Sequence, residues 1–287
     1  MKDRNFLTLS SSILSLTVAL VLVILKVFAW EQTQSISILS SLVDSGLDML
    51  ISLVTFISVR ASLIPADHDH KFGHGKYQAI AALGQCLLIL ASVLFVFYEA
   101  VMHYSTTQQV FQPELGISLM VISLFLTLSL VGYQRFVYLR TGSIAVKADS
   151  MHYITDIFTN LLVIISVYFS SSLQLNLIDI IIGLILMVIV LYGVKEILSD
   201  ALAILTDKEL DETLKDEIRS IILSHPMCLG IHDLRTRDSG TKKFIQFHME
   251  LDANLSLDNV HQIDKEVTEK IERIIPSCEV IIHMDPR

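Results

Sequence analysis

The chain has 287 residues, of which 52% are hydrophobic and only 18% are charged, with a formal net charge of -9 and a mean hydropathy of +0.59. Soluble domains carry about 25% charged residues, so this composition indicates a membrane protein and excludes a disordered chain. The acidic balance excludes a basic nucleic-acid binder, and the three cysteines, which have no CxxC spacing, do not form a disulfide scaffold.

Long apolar runs without basic residues predict the membrane helices. No Lys or Arg occurs in residues 77–134 or in residues 148–194, and a helix needs about 20 apolar residues to cross a bilayer. Two further apolar runs precede Pro65, and no proline falls inside any run. We therefore predict six transmembrane helices, near 6–30, 36–63, 77–103, 114–138, 144–170 and 176–201.

Basic residues flank these helices on one side of the membrane only. Lys2 and Arg4 precede the first helix, and the second and fourth loops are basic, whereas the first, third and fifth loops hold no Lys or Arg. The positive-inside rule then predicts a multi-pass protein of the cell (inner) membrane with both termini in the cytoplasm. Lys26 is the exception, and we expect its side chain to extend outward to the membrane surface.

A different pattern begins near residue 207, so we divide the chain into a transmembrane domain, 1–206, and a cytoplasmic domain, 207–287. The second part carries 17 acidic and 11 basic residues, and its apolar residues recur as in soluble helices and strands. We predict a helix over 207–224, strands over 229–237 and 242–251, a helix over 256–275 and a strand over 278–284. The order α-β-β-α-β indicates a small α+β domain, in which Ser256 caps the second helix.

Four ionisable residues lie inside predicted membrane helices at matching spacings. Asp44 and Asp48 are one turn apart on the second helix, and His152 and Asp156 have the same i, i+4 spacing on the fifth. Each pair projects from one helix face. Three carboxylates and one imidazole suit a tetrahedral divalent metal. No protein cation is evident to neutralise the carboxylates, so we expect metal and protons to compete for them.

Further polar residues continue both faces. On the second helix they are Ser37, Ser41, Ser52 and Thr55, and on the fifth helix they are Asp149 and Asn160. Such stripes favour a water-filled cavity between helices over a lipid-facing surface. The alternative is that these residues only join helices by buried hydrogen bonds.

The loop after the second helix concentrates metal-binding residue types. Residues 67–74 contain three histidines and two aspartates, a composition typical of metal sites. A solvated polar loop is the alternative.

Histidines are also concentrated in the cytoplasmic domain. His232 and His248 lie on predicted strands, His261 on the predicted helix, and His283 and Asp285 at the end of the last strand. Five ligands exceed the needs of one tetrahedral ion, but they suit two ions bridged by a carboxylate such as Asp285. A structural role for each single histidine is the alternative.

Three local strings, with the two membrane pairs and the histidine-rich tail, resemble the cation diffusion facilitator family, and in particular its bacterial zinc and ferrous-iron efflux branch. The strings are SLVDS at 41–45, FGHGK at 72–76 and ADSMHY at 148–153. The resemblance covers essentially the whole chain. It implies an α-helical membrane protein with six transmembrane helices and a metallochaperone-like cytoplasmic α+β domain.

The same resemblance implies a homodimeric metal/proton antiporter, not an enzyme, which exports Zn(II), Cd(II) or Fe(II). The transport site would be Asp44, Asp48, His152 and Asp156; the loop site Asp67, His70 and His74; the cytoplasmic site His232, His248, His261, His283 and Asp285. The implied partners are divalent ions, protons and membrane lipid, but neither nucleic acid nor nucleotide; no GxxxxGK[ST] motif occurs. The alternatives are Fe(II) or Mn(II) as the physiological cargo, a membrane-anchored metal sensor, and a channel.

Overall fold

The structure is a computed structural model that describes residues 2–33, 36–102, 113–170 and 176–287. The chain divides into two compact units, residues 2–201 and residues 202–287. The first unit is helical, and the second combines helices with a sheet.

One α-helix corresponds to each of the six predicted spans. These are α1 (Lys2–Thr33), α2 (Ile36–Ser62), α3 (Tyr77–Met102), α4 (Pro113–Thr141), α5 (Ile144–Ser170) and α6 (Asn176–Leu205). Several helices extend beyond the predicted apolar run, because backbone hydrogen bonding continues through polar residues at the membrane surface. Residue 103, the predicted end of the third helix, lies outside the described residues.

Within the residues that the structure describes, four helical segments are long and apolar enough to cross a membrane: Asp3–Gln32, Leu42–Ser62, Tyr77–Phe95 and Val121–Thr141. The side chains of residues 162–183, which belong largely to α5 and α6, lie outside the described part of the chain. Large apolar side chains such as Phe28, Phe95 and Phe125 are exposed, whereas Ser15, Ser52 and Gln134 are buried. This arrangement, with apolar residues outside and polar residues inside, is that of a helix bundle whose solvent is lipid.

The second unit has the predicted α-β-β-α-β order. Its elements are α7 (Glu212–Leu223), β1 (Gly230–Asp238), β2 (Lys243–Leu251), α8 (Leu257–Ile274) and β3 (Cys278–Pro286). The sheet order is β1-β2-β3, in which β1 and β2 are antiparallel and β2 and β3 are parallel. Ser256 is the N-cap of α8, as predicted, since its side chain accepts a hydrogen bond from the backbone N–H of Asn259 at 3.3 Å.

The first helix of this unit begins later than predicted. The Glu209 carboxylate accepts a hydrogen bond from the backbone N–H of Thr236 at 3.0 Å, and the N–H of Leu210 donates to the Thr236 hydroxyl at 3.0 Å. These contacts tie residues 209 and 210 to β1, so α7 starts only after its N-cap, Asp211.

The core of the second unit lies on one face of the sheet. Along β2, Ile245, Phe247 and Met249 are fully buried, and the alternate residues point the other way. The residues of the two helices that complete this core are Ile218, Ile222, Ile263, Val267 and Ile271. The opposite face of the sheet is therefore left to polar side chains, among them His248.

Candidate metal centres

The membrane site brings together three of its four predicted ligands, from α2 and α5. The Nε2 atom of His152 lies 3.2 Å from Oδ1 of Asp48 and 3.8 Å from Oδ2 of Asp156. One ligand atom from each of the three lies within 4.8 Å of the others. The His152 side chain is 6% exposed and the two carboxylates are 25% and 29% exposed. The group is therefore largely buried, but its two carboxylates remain partly accessible to solvent.

The fourth predicted ligand, Asp44, is placed differently. It lies one turn before Asp48 on α2 and its side chain is exposed. It is not a member of the described group of three. Its role as the fourth ligand stays a prediction.

Towards the C-terminal end of α2, the polar stripe does not line an open cavity. Ser52 and Thr55 are 0% and 1% exposed. The hydroxyl groups of Ser52 and Tyr153 share a hydrogen bond of 2.7 Å, and Gln85 donates to Thr55. The cavity interpretation is wrong at these two positions because side chains of neighbouring helices, rather than water, satisfy their hydroxyl groups. The side chains of Ser37, Ser41 and Asn160 lie outside the described part of the structure.

Asp149 is the centre of this buried polar layer. The sequence analysis placed it only in the polar stripe of α5, and the cavity interpretation is wrong for it too, because it is buried among side-chain donors. Its carboxylate accepts hydrogen bonds from Ser15 at 2.6 Å, from Gln134 Nε2 at 2.7 Å and from Gln85 Nε2 at 3.3 Å. These donors belong to α1, α4 and α3, and Asp149 is itself 1% exposed. Because Asp149 precedes His152 by one turn on α5, the layer fixes the helix that carries two ligands. The signal in the sequence was the occurrence of two glutamines within apolar helices.

The Lys26 side chain does not have its predicted orientation. Its Nζ donates a hydrogen bond to Oγ of Ser45 at 2.6 Å, and Ser45 is 2% exposed. The side chain therefore points towards α2 at the level of Asp44 and Asp48, rather than outward to the membrane surface. The expectation that the protein supplies no cation near the carboxylates is wrong for the same reason.

The loop cluster joins Asp67, His70 and His74, whose ligand atoms lie within 4.8 Å of one another. His74 Nε2 lies 3.3 Å from Oδ2 of Asp67, and His70 Nδ1 lies 3.5 Å from Oδ1. The other ring nitrogen of His74 lies 3.3 Å from the carbonyl oxygen of Ile64. That contact orients the ring and directs Nε2 at the cluster, as outer-shell hydrogen bonds do for metal-binding histidines.

Backbone geometry prepares the loop for a cation. The N–H of His70 donates to Oδ1 of Asp67 at 2.7 Å, and the N–H of Asp69 donates at 3.0 Å. The first of these bonds is the main reason that the pKa of Asp67 lies below its usual range. Asp67 is therefore an anion at neutral pH. The side chains of His68 and Asp69 are 96% and 85% exposed and pair with each other, and neither residue is a member of the described group.

The cluster of the second unit is a row of three histidines across the sheet. His232 on β1 pairs in register with His248 on β2, which pairs with His283 on β3. Adjacent ring centroids are 4.9 Å and 4.5 Å apart. The register of three strands therefore places on one face imidazoles that are far apart in the sequence.

Asp285 contacts all three rings of this row. Its Oδ2 lies 2.9 Å from His248 and 3.2 Å from His232, and its Oδ1 lies 3.2 Å from His283. The hydrogen bond with His248 is the largest cause of a lowered pKa at Asp285. A carboxylate that uses both oxygens in this way has the geometry of a bridging ligand.

One carboxylate outside the predicted ligand set also contacts the row, and one predicted ligand is not a member of the described group. Glu250, which the sequence interpretation did not include, places Oε1 3.3 Å from Nδ1 of His232. His261 is exposed on α8 and is not a member of the described group His232, His248 and Asp285. As a metal ligand, His261 stays a prediction.

Both units of the chain match known protein families. A family model of the cation efflux transmembrane domain matches residues 12–206, and a model of the cation efflux protein cytoplasmic domain matches residues 210–287. The chain is 38% identical over 284 residues to Protein p34 of Rickettsia rickettsii (strain Sheila Smith), with 99% of this chain and 94% of that protein covered. It is 39% identical over 284 residues to the cation-efflux pump FieF of Cronobacter sakazakii (strain ATCC BAA-894), again with 99% and 94% covered. Among solved structures, the metal-bound C-terminal domain of the CzcD transporter from Thermotoga maritima is 26% identical, covers 27% of this chain and 94% of that chain, and has a TM-score of 0.25.

The family resemblance and the fold class predicted from the sequence are confirmed by the two family models and by the efflux-pump relatives. These matches support divalent metal efflux by a multi-pass protein of the inner membrane that forms homodimers. The chain therefore belongs to the cation efflux family and is a membrane transporter rather than an enzyme.

Proposed function

We propose that this transporter is a divalent metal/proton antiporter that exports Zn(II) from the cytoplasm and also accepts Cd(II) and Fe(II). The observation that carries the proposal is the group Asp48, His152 and Asp156, in which two helices converge with ligand atoms within 4.8 Å of one another. Ionisable residues at membrane depth mark ion pathways by default. With Asp44 as the fourth ligand, the site would have four N/O donors.

The donor chemistry supports zinc as the first choice of cargo. Carboxylates with one imidazole form a borderline site, and the affinity order of divalent ions places Zn(II) above Fe(II) and Mn(II). Zn(II) also adopts the tetrahedral geometry that four such ligands favour. Fe(II) is the second choice and Mn(II) the third. The site has no thiolate among its proposed ligands, which argues against Cu(I).

The position of His152 supports proton coupling. A metal ion needs the lone pair of an imidazole nitrogen, so a proton and a metal exclude each other at Nε2. The same nitrogen lies 3.2 Å from Asp48, and an imidazole has an ordinary pKa of about 6.5. Metal entering from the cytoplasm would displace protons, a rocking of the helices would expose the site outward, and incoming protons would expel the metal.

The other two clusters are proposed as resident metal sites. In the cytoplasmic domain, His232, His248 and His283 with Asp285 would hold two ions bridged by the carboxylate, and His261 is proposed as a further ligand. Their function would be to stabilise the dimer and to regulate export. Asp67, His70 and His74 would hold one ion in the loop. Both donor sets, imidazole nitrogen with carboxylate oxygen, fit Zn(II).

We further propose that both termini and the histidine-rich loop face the cytoplasm. The support is the confinement of Lys and Arg to the N-terminus and the second and fourth loops. In this orientation the loop and the domain 207–287 lie on the side from which the metal is taken. The apolar outer surface of the helices would contact membrane lipid.

The decisive experiment measures flux in proteoliposomes with a panel of Zn(II), Cd(II), Fe(II) and Mn(II) and an imposed pH gradient. In vesicles whose outer face corresponds to the cytoplasm, we expect Zn(II) uptake that accelerates when the lumen is acidic and that alkalinises the lumen. Flux that ignores the pH gradient would identify a channel. Absence of flux for every metal would favour a membrane-anchored sensor, in which the helices only hold the metal-binding domain.

A further inference from the structure

Lys26 is a charged residue within a membrane helix, and the transport scheme above does not use it. It lies on α1 (Lys2–Thr33), six residues before the end of an apolar segment that is long enough to span a membrane, Asp3–Gln32 on the same helix. Placing an ionisable group in such a segment costs free energy, so the residue is a candidate for a functional role. Its Nζ donates to the buried Oγ of Ser45 at 2.6 Å.

Ser45 holds the ammonium beside the transport site. It follows Asp44 directly in the sequence and precedes Asp48 by less than one turn of α2. The Lys26 ammonium therefore lies at the level of the carboxylates of Asp44 and Asp48 on α2, and Asp156 joins Asp48 in the same described group. These are all three carboxylates proposed to bind the cargo.

The charges around this point come from three helices. The ammonium is supplied by α1, two carboxylates by α2, and one carboxylate with the imidazole of His152 by α5. Three carboxylates without a cation would repel one another at short range in a low-dielectric environment. A tethered ammonium relieves this repulsion before any metal arrives, and it opposes a second cation after the metal has arrived.

We propose that Lys26 is the built-in counter-charge of the empty transport site and competes with the divalent cargo for its carboxylates. The proposal rests on the proposed function of that site. The consequence is that the transport site binds the divalent ion with moderate affinity, because a fixed positive charge nearby repels the ion. Transport requires binding that is strong enough to load the site and weak enough to release the metal.

The test is the concentration dependence of Zn(II) flux by the full-length protein in proteoliposomes. Lys26→Met removes the charge and keeps the length of the side chain. We expect the half-saturating Zn(II) concentration to fall about tenfold, as removal of one nearby unit charge predicts, and the maximal rate to fall because release is slower. Lys26→Arg keeps the charge and should behave as the wild type.

Two further variants separate charge from other causes. Lys26→Gln keeps an N–H donor for Ser45 but no charge, so it should resemble Lys26→Met and also serves if the methionine variant does not fold. Lys195→Met removes a lysine exposed on α6 and should leave both flux parameters unchanged. Equal half-saturation in Lys26→Gln and the wild type, or equal shifts in Lys26→Arg and Lys26→Met, would overturn the proposal.

The same experiment distinguishes this failure from failure of the site itself. Asp48→Ala, measured in parallel, should abolish flux at every Zn(II) concentration. If Asp48→Ala transports normally, both the assignment of the transport site and the proposed role of Lys26 are wrong. If Asp48→Ala is inactive but the Lys26 variants keep the wild-type half-saturation, only the proposed role of Lys26 is wrong.

Discussion

The imidazole of His152 and the carboxylate of Asp48 face each other across α5 and α2, with Nε2 and Oδ1 3.2 Å apart. The two residues are 104 positions apart in the sequence, so their contact depends on how the two helices pack. At this separation the pair can share one proton, and a metal ion bound to both atoms would replace that proton. This exchange is the chemical basis of the first prediction.

Asp48→Ala should abolish Zn(II) transport in proteoliposomes while the protein remains a folded dimer. The substitution removes one ligand and leaves His152 and Asp156 without their shared partner. Size-exclusion chromatography of the purified protein checks the folded state. Asp3→Ala, which removes an exposed acid at the start of α1, is the control and should transport normally. Full transport by Asp48→Ala would contradict the assignment.

Asp149→Asn should destabilise the helix bundle, because an amide cannot accept the three hydrogen bonds that Ser15, Gln134 and Gln85 donate to the carboxylate. A hydrogen bond contributes about 0.5–1.5 kcal/mol to stability, and a buried partner left unsatisfied costs about 1–3 kcal/mol. We therefore expect a clearly lower melting temperature in a thermal-shift assay, together with slower transport.

The matched control for Asp149 is Asp200→Asn. Asp200 lies at the surface of α6 and accepts a hydrogen bond of 2.7 Å from Lys147. Lys147 also donates to Glu196 at 2.8 Å, so it keeps a partner, and surface ion pairs contribute little to stability. Equal melting temperatures for the two variants would show that Asp149 is not a structural centre.

The loop cluster predicts different effects for two histidines that are close in sequence. His70→Ala should weaken binding of Zn(II) to the loop by at least about tenfold, since loss of an outer-shell partner alone has an effect of that size. His68→Ala should leave it unchanged, because that ring is 96% exposed, pairs with Asp69 and is not a member of the described group. Isothermal titration of the full chain, with the cytoplasmic ligands and the transport-site residue Asp48 replaced, measures both. Comparable losses in both variants would reassign the loop ligands.

The histidine row predicts that Zn(II) strengthens association of the cytoplasmic domain. Sedimentation of a fragment covering residues 207–287 should show a tighter dimer with Zn(II) than with a chelator. His248→Ala should remove this effect, because His248 is the central residue of the row and contacts Asp285 at 2.9 Å. His261→Ala tests whether that residue is also a ligand. Association that does not respond to Zn(II) would leave the row without the proposed role.

The contacts of Glu266 predict how the free energy of unfolding of the same fragment decreases at acid pH. The carboxylate accepts hydrogen bonds from Gln262 at 2.9 Å and from the His225 ring at 3.3 Å, and these bonds lower the pKa of Glu266. Its contribution to the free energy of unfolding is therefore present above the ordinary glutamate value of 4.5 and is lost as the pH falls through the lower folded value.

Denaturant unfolding between pH 7 and pH 3 measures that contribution. Glu266→Gln should flatten the loss of stability at acid pH, whereas Glu269→Gln, an exposed acid on the same helix, should keep the wild-type slope. If Glu266→Gln loses stability on acidification as steeply as the wild type, other carboxylates control the loss of stability at acid pH.

Much of the fold follows from local patterns in the sequence. Long apolar runs with few basic residues determined where six helices lie, and alternation with turn residues determined the α-β-β-α-β order of the tail, because periodicity is a property of neighbouring residues. The same reasoning placed Asp44 with Asp48 and His152 with Asp156 on single helix faces. It could not give the start of α7, which depends on Thr236 of β1.

The tertiary structure alone decided which of these faces meet. It directed Lys26 towards Ser45 instead of the membrane surface, gathered donors from three helices around Asp149, and aligned three histidines through strand register. The physical reason is that each contact joins residues from different elements. Such contacts depend on helix rotation, helix packing and strand pairing, which no local window of sequence contains. Composition determined that the chain is in a membrane, and packing decided which of its few charges work together there.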